Sequence, residues 1–187
     1  MKNLKPIALA LFVAISTLAT AQNKKIEVTK SKIEWLGKKM TGQHNGTVNF
    51  KGGTLVFKGK KLTGGTFVVD MTSLTATDLT GEYQEKLNGH LKADDFFGTD
   101  KYATSKLVFK KIVDKGNGVF GVSADLTIKD VTAPVQFEIT VKDNTATTSF
   151  KIDRTKYGIK YGSGSFFDNL GDKTINDEFD VTVSLQF

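Results

Sequence analysis

The chain has 187 residues, with 26 Lys and Arg against 20 Asp and Glu and a formal net charge of +6. Zero Cys excludes a disulfide framework, and its two His, His44 and His90, lie too far apart in sequence to suggest a metal site. Two Pro, 18 Gly and no low-complexity tract argue for one domain with many turns and against an internal linker.

Met1 to Ala21 has the layout of a secretory signal peptide. Lys2 and Lys5 form a positive n-region, Ile7 to Leu18 an apolar h-region, and Ala19-Thr20-Ala21 a small-x-small cleavage site. The apolar run falls short of the about 20 residues that a spanning helix needs. No Cys follows it to carry a lipid anchor. The expectation is a leader over residues 1–21 and one periplasmic domain over residues 22–187, starting at Gln22. Cleavage would remove two Lys and no acid, lowering the net charge from +6 to +4. The remaining excess is spread over pairs such as Lys24-Lys25, Lys38-Lys39 and Lys60-Lys61. Such pairs suit solvated turns and strand faces, and they allow transient contact with anionic lipid head groups at a membrane surface. A nucleic-acid partner is disfavoured, because exported proteins rarely meet one.

Beyond the leader, the pattern is that of strands. Ser31 to Lys38, Thr47 to Lys51, Thr54 to Lys58 and Leu62 to Met71 come first, with Gly52-Gly53 and Gly64-Gly65 as turn or bulge signals. Leu79, Tyr83, Leu87 and Leu91 then recur every four residues, which predicts a short amphipathic helix. Asp94-Asp95 leads from it into Phe96-Phe97. Lys106 to Val113 resumes the strands, and Gly116-Asn117-Gly118 marks a turn. From Val119 onward the alternation is nearly free of errors. Phe120, Val122, Ala124, Leu126 and Ile128 share one parity, as do Val135, Phe137, Ile139 and Val141. The same holds for Ala146, Thr148, Phe150 and Ile152, and for Phe179, Val181, Val183, Leu185 and Phe187. A period of two puts each set on one face of a strand. Between the last two sets, Phe166 to Leu170 forms a second short turn or helical insert. About eight or nine strands result, the number that closes a small antiparallel barrel around one ligand.

The stretch Lys86-Leu87-Asn88-Gly89-His90-Leu91-Lys92-Ala93-Asp94-Asp95-Phe96-Phe97, with Tyr102 after it, resembles the YceI-like family. So do Ile33 to Lys38, His44-Asn45-Gly46, Gly65 to Met71, Asp125 to Lys129 and Asp153 to Ile159, in order through nearly the whole domain. The resemblance implies an all-β, lipocalin-like antiparallel barrel that encloses a long amphiphile, such as a polyisoprenoid quinone or a fatty-acid-derived lipid. It implies binding, storage or transport of that lipid in the periplasm, without catalysis and with no cofactor beyond the lipid. One departure is Ala103, where Pro usually follows the Tyr; a slightly freer turn is expected.

Trp35, Phe50, Phe67, Phe109, Phe120, Phe137 and Phe150 sit on apolar strand faces, as core packing or as a lipid-binding wall. In a barrel one inner face serves both purposes. Leu87, Leu91, Phe96, Phe97 and Phe166 are the candidates for a lid over one mouth. His90 could donate to a quinone carbonyl at that mouth, or be a solvated or capping residue. Arg154, with Tyr157 beyond it, could meet a lipid head group, or pair structurally with Asp70 or Asp153. No triad, metal cluster or phosphate loop is present in the sequence: Gly162-Ser163-Gly164 lacks the frame of a nucleophile elbow. Two rival readings stay open, a small integral outer-membrane barrel and, with less support, a lipid-modifying enzyme. Alternation alone cannot say which face points outward. Either a monomer or a homodimer is compatible with the sequence.

Overall fold

The computed structural model describes residues 20–187. The expected leader falls outside them except for its last two residues. Nine strands form one antiparallel sheet: β1 (Ala21–Lys25), β2 (Lys32–Lys39), β3 (Gly42–Lys58), β4 (Lys61–Ala76), β5 (Thr104–Gly116), β6 (Val119–Ile128), β7 (Val131–Lys142), β8 (Thr145–Asp153) and β9 (Glu178–Gln186). One helix, α1 (Gly81–Lys92), lies between β4 and β5. The sheet order is β1-β3-β2-β9-β8-β7-β6-β5-β4, and a further β3–β4 pairing joins its ends. Strands β2 to β9 therefore close an eight-stranded barrel, and β1 is an addition to it.

Two strand expectations change. Thr47–Lys51 and Thr54–Lys58 are one strand, because Gly52-Gly53 makes a bulge there and not a turn; the β3–β4 register shifts between Phe50 and Gly52. β1 carries no signal of its own, since Ala-Gln-Asn-Lys-Lys has no apolar alternation. It is held by pairing to β3, with Ala21 opposite Lys58 and Lys25 opposite Thr54.

β3 can serve both neighbours only where side chains are absent. A Cβ on Gly46 would lie 1.9 Å from the Thr75 carbonyl oxygen and 2.6 Å from the Trp35 ring. A Cβ on Gly65, in β4, would lie 2.7 Å from the Phe109 ring. These glycines let strands and rings approach closely, which is their role inside strands.

The apolar parity of every late strand points inward. Leu126, Ile128, Phe137, Ile139, Phe150, Ile152, Val181 and Leu185 face the interior. Their neighbours Thr132, Gln136, Glu138, Lys151, Thr182 and Ser184 are exposed on the outside. This is the inverse of a membrane-spanning barrel, whose apolar band faces outward. Strand length does not decide the matter, for β3 and β4 run to 17 and 16 residues, longer than the sequence suggests.

The antiparallel order gathers four connections at one end: the β2–β3 turn, residues 77–103 with α1, the β6–β7 turn and residues 154–177. At this end the wall also loosens. β7 and β8 pair only from Ile139 to Lys142 and from Thr145 to Thr148, so their outer halves splay apart. The Phe137 and Phe150 rings stack across the seam at 4.7 Å.

Replacing Gly46 by Ala should lower stability by about 2–3 kcal/mol through overpacking. Gly42→Ala, whose Cβ would meet nothing within 4 Å, should leave it unchanged. Urea unfolding midpoints of the two variants provide the comparison.

Candidate functional site

The inward faces do not fill the barrel. They enclose a cavity of about 180 Å³, many times the roughly 10–15 Å³ that one water requires. Five phenylalanines form a belt around its wall. Phe50, Phe67, Phe109, Phe137 and Phe150 follow one another with ring centroids 6.0, 5.7, 5.7 and 4.7 Å apart. These tilted and stacked spacings are favourable for aromatic pairs.

Trp35, Phe50, Phe67, Leu91, Phe96, Phe97, Phe109, Phe137, Phe150 and Arg154 all line this cavity. Five other expected residues do not. Phe120 shares the inward parity but is packed into the core, 3% exposed. Leu87 misses because α1 turns a different face to the barrel. Gln84 Nε2 donates to the Ala76 carbonyl at 2.7 Å, and Asn88 Oδ1 accepts from the Ala76 N–H at 2.8 Å. Gln84, Asn88 and Leu91 thus share the inward stripe, and Tyr83 and Leu87 rotate off it. Phe166 and Phe167 are 47% and 51% exposed, so they form no lid over the cavity. Their N–H groups donate to the Ser163 carbonyl, which shapes a turn that points both rings outward.

His90 lies off the wall as well. It stands between the lid and the neighbouring loop, its ring 5.4 Å from Phe96 and 4.5 Å from Tyr161. Tyr157, in a short 3-10 turn (Arg154–Tyr157), is buried in a separate recess beside Gln136 and Lys151. Its hydroxyl has no hydrogen-bond partner, and burial, with the charge of Asp153 adding to it, pushes its pKa up to about 12. It is a structural plug over the β7–β8 seam.

Arg154 is 2% exposed and spends its donors on the chain. Nε donates to the Asn176 carbonyl at 3.0 Å, and the two terminal nitrogens donate to Ile159 at 2.9 Å and Ile175 at 3.0 Å. Its carboxylate partner is Asp177 at 3.6 Å, not Asp70 or Asp153. Asp153 instead caps the 3-10 turn by accepting from Thr155, and Asp70 accepts from Thr72. Burial lowers the Arg154 pKa, opposed by the charges of Asp177 and Asp153. The residue thus borders the cavity while tying residues 159–177 together.

The actual lid is the turn that follows α1. Phe96 is buried and Phe97 half-buried, with rings 5.3 Å apart; Phe97 meets Phe179 edge-on at 6.2 Å. Lys129, at the β6–β7 turn, donates to the Asp94 and Phe96 carbonyls at 2.8 and 2.9 Å and clamps this turn down. Sequence reasoning passed over Lys129. It also passed over the aliphatic wall, including Ile33, Val48, Met71 and Leu107, although period two on the early strands carried that signal. The wall is apolar apart from Ser105, Thr148, Arg154 and Asn176.

Fold and site together define a closed antiparallel barrel with an apolar internal cavity and an aromatic turn over one end, the lipocalin-like class. Residues 25–187 match the YceI-like domain model, and the chain belongs to that family. Among curated relatives, a UPF0312 protein of Vibrio campbellii is 38% identical over 71 residues, covering 38% of this chain and 34% of that protein. One from Shewanella denitrificans is 44% identical over 46 residues, covering 25% and 24%. The matched region thus spans about a third or less of these relatives' length. Among solved structures, Burkholderia cenocepacia BcnA superposes with a TM-score of 0.68 at 21% identity, over 86% of this chain and 98% of that one. A polyisoprenoid binding domain from Saccharophagus degradans, implicated in plant cell wall breakdown, gives 0.58 at 18% identity, over 90% and 97%. A Campylobacter jejuni YceI protein gives 0.56 at 17%, over 75% and 82%. At these identities the shared property is the fold.

Arg154→Met should cost about 3–5 kcal/mol, since it leaves the Asp177 charge and three carbonyls without their partner. The loss is measurable as a shift of the urea midpoint.

Proposed function

We infer that the barrel binds a long-chain isoprenoid of quinone type, or a related amphiphilic lipid, and stores or carries it across the periplasm unchanged. The cavity carries this reading. An apolar void of about 180 Å³, if left unfilled, would cost up to roughly 4 kcal/mol at about 24 cal/mol per Å³, a cost that an apolar ligand would remove. Each methylene taken from water contributes about 0.8 kcal/mol, so roughly ten of them offer about 8 kcal/mol before ordering costs. Among the described residues the cavity wall includes no His, Lys, Asp or Glu that could act as a base, which favours carriage over chemistry. The polyisoprenoid binding domain of Saccharophagus degradans shares the fold and supports the choice of ligand class.

Adding isoprenoids of graded length to lipid-stripped protein should change Trp35 fluorescence saturably. Affinity should fall with shortening, by up to about fourfold per methylene; an affinity independent of chain length would overturn the reading. Gly37 lines the cavity and a Cβ there would meet nothing within 4 Å, so Gly37→Phe should block binding without loss of stability. Phe96→Ala with Phe97→Ala should speed lipid release more than it lowers the unfolding midpoint.

The periplasmic setting rests on the leader. Intact mass from a periplasmic extract should correspond to a chain starting at Gln22, cyclised there to pyroglutamate or not. A full-length mass starting at Met1 would remove the setting.

A further inference from the structure

The lumen does not run the length of the barrel. At the lid end it reaches Gly37, Leu91 and Asn176. At the other end, where the β3–β4, β5–β6 and β7–β8 turns gather, the inward side chains pack against one another instead. Ile26, Leu55, Phe57, Leu62, Phe120 and Val122 are all buried in the core, and none of them lines the lumen.

These residues form a floor. Phe120 stands opposite Ile139 in the β6–β7 register, and Ile139 belongs to the lumen wall. Inward side chains on paired strands touch at this spacing, so the Phe120 ring borders the wall from below. Leu55 and Phe57 follow Phe50 along β3, beyond the bulge, and Phe57 pairs with Leu62 of β4. The Phe187 ring lies 5.7 Å from that of Phe57, and the Lys24 ammonium stands over both, 5.1 Å from the centre of Phe187 and 5.6 Å from that of Phe57. The side of the barrel is shut as well. Beyond Thr66 and Val108 the strands β4 and β5 stop pairing, and the Phe109 ring fills the gap by lying against Gly65.

A lumen with a floor has a capacity. A cavity of about 180 Å³ takes about 12–18 water-sized units at roughly 10–15 Å³ each, and a methylene is close to a water in size, so the capacity is about 15 carbons. That is the bulk of three isoprene units. We propose that Phe120, backed by Leu55, Phe57 and Leu62, sets the length of chain that the barrel takes, with a ceiling near three isoprene units. The inference rests on the lipid-binding reading and deepens it by limiting the cargo. A tail enters from the lid end, and each methylene down to the floor leaves water and adds affinity. Units beyond the ceiling stay outside the mouth and add none.

The test titrates lipid-stripped protein with geraniol, farnesol and geranylgeraniol, the alcohols of two, three and four isoprene units, and reads affinity from Trp35 fluorescence. Wild-type affinity should rise about tenfold or more from geraniol to farnesol and stay level from farnesol to geranylgeraniol. Phe120→Ala removes the phenyl ring, a group about the size of one isoprene unit, and should restore the gain on the last step, at a lower unfolding midpoint. Val183→Phe puts a ring on a half-buried residue of the wall. It should abolish the gain from geraniol to farnesol while leaving the floor intact, and it tests the capacity even where Phe120→Ala does not fold. Wild-type affinity that climbs as steeply to geranylgeraniol as to farnesol overturns the ceiling and leaves the lipid-binding function standing. A folded Phe120→Ala protein with the wild-type profile overturns the role of Phe120. The absence of saturable binding by all three alcohols removes cargo and ceiling together.

Discussion

A sheet closes into a ring only if every strand finds partners on both edges, and here that demand falls on β3. It pairs with β2 through residues 42–48, with β1 through residues 54–58 and with β4 along most of its length. The glycines at 46, 52 and 53 make this geometry tolerable, by bulging the strand and by admitting a carbonyl or a ring where a side chain would stand. With β3 in place, tight turns join β5 to β6, β6 to β7 and β7 to β8, two long connections (residues 77–103 and 154–177) carry the chain across the lid end, and the inward faces acquire a common interior. The belt of phenylalanines draws on that closure at one contact, Phe50 on β3 against Phe67 on β4, across the pairing that joins the ends of the sheet.

The two ends of the cavity are built from different forces. The wall is held by apolar burial and sheet hydrogen bonds. The lid end is held by a few polar contacts made by single side chains: Arg154 to three carbonyls, Lys129 to two, and Gln84 and Asn88 to the end of β4. Apolar burial adds to these contacts, since Phe96, Tyr157 and Ile159 of the same segments belong to the core. The splayed halves of β7 and β8 sit at the same end, so the least constrained part of the wall lies nearest the mouth.

How much was legible in the sequence follows from which forces leave a local trace. Period two exposed the late strands and their inner faces, because the inward residues there, Thr148 apart, are apolar and most outward ones are polar. It therefore also placed Phe137 and Phe150 on the wall. The helix was legible, but its orientation was not. The stripe through Tyr83 and Leu87 suggested one face, and two amides, Gln84 and Asn88, selected another. Phe166 and Phe167 were misplaced for a related reason: adjacency in sequence suggests burial, while a turn built on one carbonyl decides direction. The partner of Arg154 is 23 positions away, across a loop whose path no periodicity describes. The family resemblance supplied the architecture that these local signals left open.

The cavity makes molecular volume a thermodynamic variable for this protein. A void of 180 Å³ per molecule is about 110 mL per mole, and the volume change on unfolding scales with such space without equalling it. Hydrostatic pressure favours whichever state packs more densely. The empty barrel, which holds space inaccessible to its own side chains, is therefore compressible in a way that the filled barrel is not. Occupancy is then written into the pressure at which the chain unfolds, and that pressure rises as the lumen fills, whatever the chemical identity of the molecule inside.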